Sequence, residues 1–556
     1  MKKRLILACA AFMVAYVMQA QPGWASKAAK SVFTLKTFAA NGNLLGSSCG
    51  FFIGENGEAV SSFVPFDGAA RAVIIDASGK EFPVEAIIGA NDMYDVAKFR
   101  VQAKKTQPVT LASRAAAQGE AVWLLPYSTK KKPDCPTGVV RKAETILTDQ
   151  SYYTLNIQMP VGSVGSPLLN SDGEVIGIMQ QPANANDTLS YAISARYVTD
   201  LTASAFSLND ASLQKTSIKK ALPDDAEQAL LMLYMAGSSM DSLNYATLID
   251  DYILKFPSSP DGYTTRAQLY VRGNDFATAK QNMEQAIRVS NKKDDTHFNY
   301  ARMIYQKLLY NPAPFDEWTY DTALQEVHEA YSINPHPTYR HLEGQILFSQ
   351  AKYDEAFAIF QELQSSEIQG ASLYYEASRC KEMLNDTTAM LALLDSAVNC
   401  YTKPYTKDAA PYLWARALAL YDTGKYRLAV SDFNEYEKLM VAQVNAHFYY
   451  VREQAEVSGR LYQQALNDIT KATEMAPEEP LYWGEKASLE IRVALFDEAI
   501  VSATTYQRLA PNDSDGFLFL GIAQCQKGNK AEGLKNLQKA LELGNEQAQR
   551  LIDKFK

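Results

Sequence analysis

Histidine is missing from this chain where catalysis would need it. The 556 residues include five, at positions 297, 328, 336, 341 and 447, so none precedes position 297. A serine nucleophile needs a proton acceptor within hydrogen-bond reach, and the first half of the chain has no imidazole to offer. His328, His336 and His341 cluster around Pro335 and Pro337 without a fourth ligand, so no metal site is expected from them. The six cysteines show none of the close pairs that zinc or iron–sulfur sites require, and no cofactor is expected. Excess positive charge is missing as well: 54 Lys and Arg stand against 63 Asp and Glu, a net charge of -9. Nucleic acid and anionic membrane surfaces demand a concentrated basic footprint, so neither is an expected partner. The clearest basic run, Lys130-Lys131-Lys132, precedes Pro133 and is read as a solvated loop. Beyond residue 25 no apolar run approaches the roughly 18 residues of a membrane span.

What is present begins with a leader. Met1-Lys2-Lys3-Arg4 is followed by an apolar stretch over 5–18, and small residues at Ala20 and Ala25 offer two cleavage points. Residues 1–25 are therefore expected to be a secretory signal peptide, with a retained anchor as the alternative. Export would place Cys49, Cys135, Cys380, Cys400 and Cys525 in an oxidising compartment. Cys49 with Cys135 and Cys380 with Cys400 are then candidate bridges.

The length implies more than one domain. Residues 31–203 have the short runs and turns of strands, with expected strands at 32–38, 71–75, 82–88, 96–101, 108–111, 121–126, 138–143, 152–159, 175–180 and 190–194. A hairpin is expected over 50–66, turning at Glu55-Asn56-Gly57. Residues 204–229 fit neither this pattern nor the next and are read as a linker. From 230 to 556 the period is helical. Ala465, Ala499 and Gly533 are 34 apart, Pro477 and Pro511 share that spacing, and Trp483 and Phe517 hold matching aromatic positions. These features resemble tetratricopeptide repeats. The remaining centres are placed at Ala246, Ala279, Ala323, Ala356, Ala389 and Ala429, so about nine helical hairpins are expected to stack as one superhelix. The Lys/Asn clamp that such repeats use for C-terminal carboxylates would fall on Gly484, Ser488, Leu518 and Ile522 in the last two repeats, and it is absent there.

Val161-Gly162-Ser163-Val164-Gly165-Ser166-Pro167-Leu168-Leu169-Asn170, followed by Gly173-Glu174-Val175-Ile176-Gly177-Ile178, resembles the nucleophile loop of trypsin-like serine proteases of the HtrA type. Gly162 and Pro167 fix the register, and the nucleophile position falls on Val164. The strand, hairpin and strand from Gly50 to Val64 resemble the segment that ends in the catalytic histidine, whose position falls on Val64. Asp92-Met93-Tyr94-Asp95-Val96-Ala97 resembles the segment with the orienting aspartate, retained as Asp95. The resemblance implies two six-stranded barrels, followed here by the all-α repeats. It also implies a degenerate triad: Asp95 has no chemistry of its own once the nucleophile and base are gone. Ser163 and Ser166 flank the altered position, but neither a histidine nor a lysine lies in the motif. The backbone of Gly162, Ser163 and Val164 is expected to keep an oxyanion nest, because amide donors do not depend on the missing serine.

The expected function is an exported binding scaffold or adaptor without catalysis. Its partner would be another envelope or secreted protein, or an extended peptide, held by the repeat groove and by the protease-like cleft. The alternatives are an active serine endopeptidase with displaced catalytic groups and a regulator of a partner protease.

Overall fold

The computed structural model describes residues 22–147, 150–182 and 189–556. Most of the expected leader lies outside the described residues. Two closed barrels come first, each of six antiparallel strands. β1 (Val32–Phe38), β2 (Leu44–Phe52), β3 (Glu58–Ser61), β4 (Arg71–Ile75), β5 (Glu81–Asn91) and β6 (Val96–Val101) close in the order β1-β2-β3-β6-β5-β4. β7 (Ala121–Leu124), β8 (Thr137–Leu147), β9 (Gln150–Leu155), β10 (Pro167–Leu169), β11 (Val175–Met179) and β12 (Ser190–Ser194) close as β10-β11-β12-β9-β8-β7. Closure leaves no unpaired sheet edge. Alternation sets the inward faces, so that Phe33 and Leu35 of β1 join Phe52, Ile74, Ile87 and Phe99 inside the first barrel. Val122, Leu124, Tyr153, Leu168 and Met179 fill the second. A further apolar layer, with Val32, Phe51, Val60, Leu169, Val175 and Ile193, packs the barrels together.

The segment 108–111 is not a strand. Pro108 has no N–H to donate, and the stretch crosses between barrels, with Val109 N–H donating to Phe52 O (3.0 Å) and Leu111 held in an isolated bridge to Val175, which donates to Thr110 O (2.8 Å) and accepts from Ala112 N–H (2.9 Å). Residues 156–159 also leave the ladder, since β9 ends at Leu155. Much of 204–229 is docked on the first barrel rather than free. Gly68 N–H donates to Lys215 O, Ser217 N–H to Ala69 O, Ile87 N–H to Lys219 O and Ala221 N–H to Ile87 O, at 2.7 to 2.8 Å. Leu213 and Ile218 enter that barrel's core.

Among the described residues nine helical hairpins follow, from Ala226–Ala236 with Ser242–Lys255 to Ser514–Lys527 with Lys530–Glu542, and then the helix Gln547–Phe555. The chain divides into two compact units between Asn291 and Lys292, so the first two hairpins belong to the same unit as the barrels. The expected small-residue centres stand four residues after the N-cap of each second helix. Counted that way, Ala279, Ala323, Ala356, Ala429, Ala465, Ala499 and Gly533 occur at the site, and all are buried. In hairpins one and five, however, the N-caps Asp241 and Asp386 put Tyr245 and Met390 there. The expected Ala246 and Ala389 are one residue out of register and only half-buried. Room for the Tyr245 ring comes from Gly237, where an added Cβ would approach its hydroxyl to 3.1 Å.

Candidate functional site

The loop 160–166 is built from two consecutive tight turns. Ser163 N–H donates to Pro160 O at 3.2 Å and Ser166 N–H to Ser163 O at 3.1 Å. The third residue of each turn is a glycine, Gly162 and Gly165, both at φ +81°. A type II turn requires this left-handed position. Gly165 carries a second constraint, because an added Cβ would lie 2.2 Å from Cys49 O, whereas Gly162 has open space around it. Cys49 N–H donates to Val164 O at 2.8 Å, and Gly165 N–H to Met179 O at 2.8 Å, so both barrels hold the loop. The amides of Gly162 and Val164 have no acceptor among the described residues.

Asp95 sits at φ +50°, a position that Asp tolerates better than most residues. Ser62 Oγ donates to its two carboxylate oxygens at 2.7 and 2.6 Å, and Val64 N–H donates to Oδ1 at 2.7 Å. Burial raises the Asp95 pKa, and the Ser62 hydroxyl with the backbone amides of Val64 and Phe63 opposes the rise. Val64 itself projects outward, 65% exposed, at the start of a short turn of helix through Phe66. Val161 beside Gly162 is fully exposed, and Val164 is half-buried.

Of the positions singled out in the sequence, Val64 and Asp95 are joined directly. Val164 is linked toward them by hydrogen bonds through Cys49 and Ser61, as Cys49 N–H donates to Val164 O and Ser61 Oγ to Cys49 O at 2.6 Å. Ser163 and Ser166 are completely buried, and their hydroxyls make no hydrogen bond among the described residues. Two participants were not anticipated. One is Ser62. The other is the Cys49 thiol, which donates to Gly162 O at 3.1 Å rather than bridging to Cys135. Burial raises the Cys49 pKa; the neighbouring Ser166 hydroxyl works against that rise but stands outside hydrogen-bond geometry. All five described cysteines are free, including Cys380 and Cys400. The three clustered histidines do not converge either: His328, His336 and His341 meet Glu343, Glu367 and Glu376 respectively.

Residues 48–178 match the model of the trypsin-like peptidase domain, and residues 260–293 match that of the tetratricopeptide repeat. Serine protease HTRA1 of Xenopus tropicalis is 27% identical over 156 residues, which cover 26% of this chain and 33% of that protein. The probable periplasmic serine endoprotease DegP-like of Halomonas elongata is 29% identical over 136 residues, covering 24% and 28%. The chain thus spans about a third or less of the length of the curated relatives it matches. Among solved structures, the active form of the Rv3671c protease from M. tuberculosis aligns with a TM-score of 0.28 and 18% identity, covering 32% of this chain and 81% of that one. With two closed six-stranded barrels and these two family matches, the protein combines a trypsin-like double barrel with tetratricopeptide repeats.

Proposed function

We infer that the protein is an exported scaffold or adaptor. In this reading its serine-protease-like domain, residues 31–203, does not cleave, and the hairpins that follow the 204–229 segment recruit a protein partner from the envelope or the surrounding medium. The observation that carries the first half is the accessibility of the hydroxyls. Val164 stands in the nucleophile position, Ser163 and Ser166 are fully buried, and Ser62, which does meet a carboxylate, is 1% exposed. No hydroxyl of the site can meet a substrate carbonyl, and nucleophilic catalysis requires that approach before any question of pKa arises.

The second half is supported by the repeats, whose chemistry is protein recognition. No helix among the described residues is long and apolar enough to cross a membrane. Export is supported by the charged and apolar start of the chain and by the periplasmic relative. Of the two cleavage points, Ala20 is favoured, because Trp24 is part of the fold. Its Nε1–H donates to Ser171 O at 3.0 Å, and its ring packs edge-on against Trp123 and over Gly173.

The test is incubation of the full chain with a fluorophosphonate probe and denatured casein. Neither labelling nor cleavage is expected. Labelling that disappears in Ser163→Ala or Ser166→Ala would establish the endopeptidase alternative instead.

A further inference from the structure

A cavity of about 300 Å³ lies among the first helices of three successive hairpins, Lys293–Tyr310, Pro337–Ser349 and Ala371–Met383. Its walls are largely aromatic. Tyr305 and Tyr310 come from the first of these helices, Phe348 from the second, and Phe360 from the helix Tyr353–Leu363. One carboxylate lines it. Glu376 Oε1 accepts from Gln345 Nε2 at 2.7 Å, and Oε2 meets His341 Nε2 at 2.5 Å. These bonds fix the carboxylate, yet no Lys or Arg neutralises it among the described residues, and His341 counters its charge only when protonated. Arg379, also on the cavity wall, is committed to Glu382 at 2.8 Å.

The unit that holds the cavity has the same sign. Residues 292–556 hold 27 Lys and Arg against 37 Asp and Glu, a net charge of -10, whereas residues 1–291 hold 27 against 26. The whole negative balance of the chain therefore belongs to the unit that contains this cavity. An apolar side chain placed here would strip water from Glu376 without replacing it, which costs free energy. An acidic one would meet like charge. An ammonium or guanidinium group satisfies both features, lying over the faces of aromatic rings and donating to a fixed carboxylate.

We propose that this cavity seats a lysine or arginine side chain carried on an extended, positively charged segment of a protein partner. The assignment rests on the reading of the hairpins as a protein-binding array and adds the chemistry of what they bind. The net negative charge of this unit accelerates encounter with such a segment and makes binding sensitive to salt.

The test is an array of short random peptides probed with the full-length protein and with two variants. Peptides retained by the unmodified chain should be enriched in Lys and Arg and released by added salt. Glu376→Gln, which preserves shape, should weaken them roughly tenfold or more, the loss of a charge-assisted bond. Tyr310→Ala should weaken them as well, and because Tyr310 is 81% exposed its removal leaves the packing intact. Enrichment of apolar or acidic peptides, or basic peptides bound equally by all three proteins, would overturn the cavity assignment while leaving the binding array standing. Retention of no peptide by the unmodified chain would remove the binding array, and this assignment with it.

Discussion

Glu453 and Glu456 lie one turn apart on the helix Ala446–Ser458 and are 1% and 3% exposed. Burial is the leading cause that pushes both carboxyl groups up to about 8. The charges around them do little to reverse it. On their own helix, Arg452 Nε is 3.9 Å from Glu456 but spends its donors on Asp468 and Glu437, and Gln454 Nε2 donates to Glu453 at 2.7 Å. From neighbouring helices, Asp468, Glu437 and Glu485 add negative charge, while Arg492 gives Glu453 a small opposing pull. Glu456 Oε2 has no hydrogen-bond partner among the described residues.

In an unfolded chain a glutamate titrates near pH ~4.3. The native carboxyl groups therefore keep their protons through a window, from about 4.3 to about 8, in which the unfolded chain has lost them. The stability they lend is complete below that window and is lost as pH rises through it, at about 1.4 kcal/mol per pH unit for each group. Between pH ~5 and ~7 a single group accounts for about 3 kcal/mol. Glu456→Gln keeps the shape and removes the proton. The variant should lose one group's share of the slope and overtake the parent in stability toward neutral pH. Amide hydrogen exchange in peptides covering 446–475, corrected for intrinsic rates and followed across this window, reads the local opening free energy directly. Identical slopes for parent, Glu453→Gln and Glu456→Gln would refute the reasoning, because they would mean that both carboxylates ionise in the native state without penalty.

Three further outcomes follow from backbone and packing. Ala494 and Ala351 occupy left-handed positions, at φ +63° and +61°, between the helices of their hairpins; replacing either by glycine should raise stability by roughly 1 kcal/mol in urea unfolding. Gly162→Ala and Gly165→Ala have the same φ but different surroundings, so the first should cost about 1–2 kcal/mol and the second more than ~3 kcal/mol, because its Cβ meets the Cys49 carbonyl. A chain exported and processed as inferred should begin upstream of Trp24 by mass spectrometry, and Trp24→Ala should lower the melting temperature by removing a ring packed on Gly173 and Trp123.

The strands at 71–75, 96–101 and 190–194 are legible in the sequence to the residue, because alternation and flanking turns depend only on neighbours. What escapes such reading depends on distant partners. The docking of 204–229 rests on backbone groups of Gly68, Ala69 and Ile87, and backbone groups leave no trace in side-chain composition. Arg416 and Arg452 occupy inward positions where periodicity asks for apolar residues. Each is satisfied by an aspartate 16 residues later, Asp432 and Asp468, at 2.6 to 2.9 Å, and loss of that partner would leave the guanidinium with a single close carboxylate, Asp395 for Arg416 and Glu437 for Arg452.

The site divides along the same line. The motifs pick out Gly162, Val164, Val64 and Asp95 as candidates, of which the structure joins Val64 to Asp95, but barrel register is needed to supply Ser62. β3 and β6 run antiparallel with Ser61 opposite Ala97, so one step beyond that pair sets Ser62 against Val96, next to Asp95. The hydroxyl thus reaches the carboxylate from just beyond the end of β3, on the buried side, where it caps Asp95. The register that completes the hydrogen bonding of Asp95 also holds this serine 1% exposed.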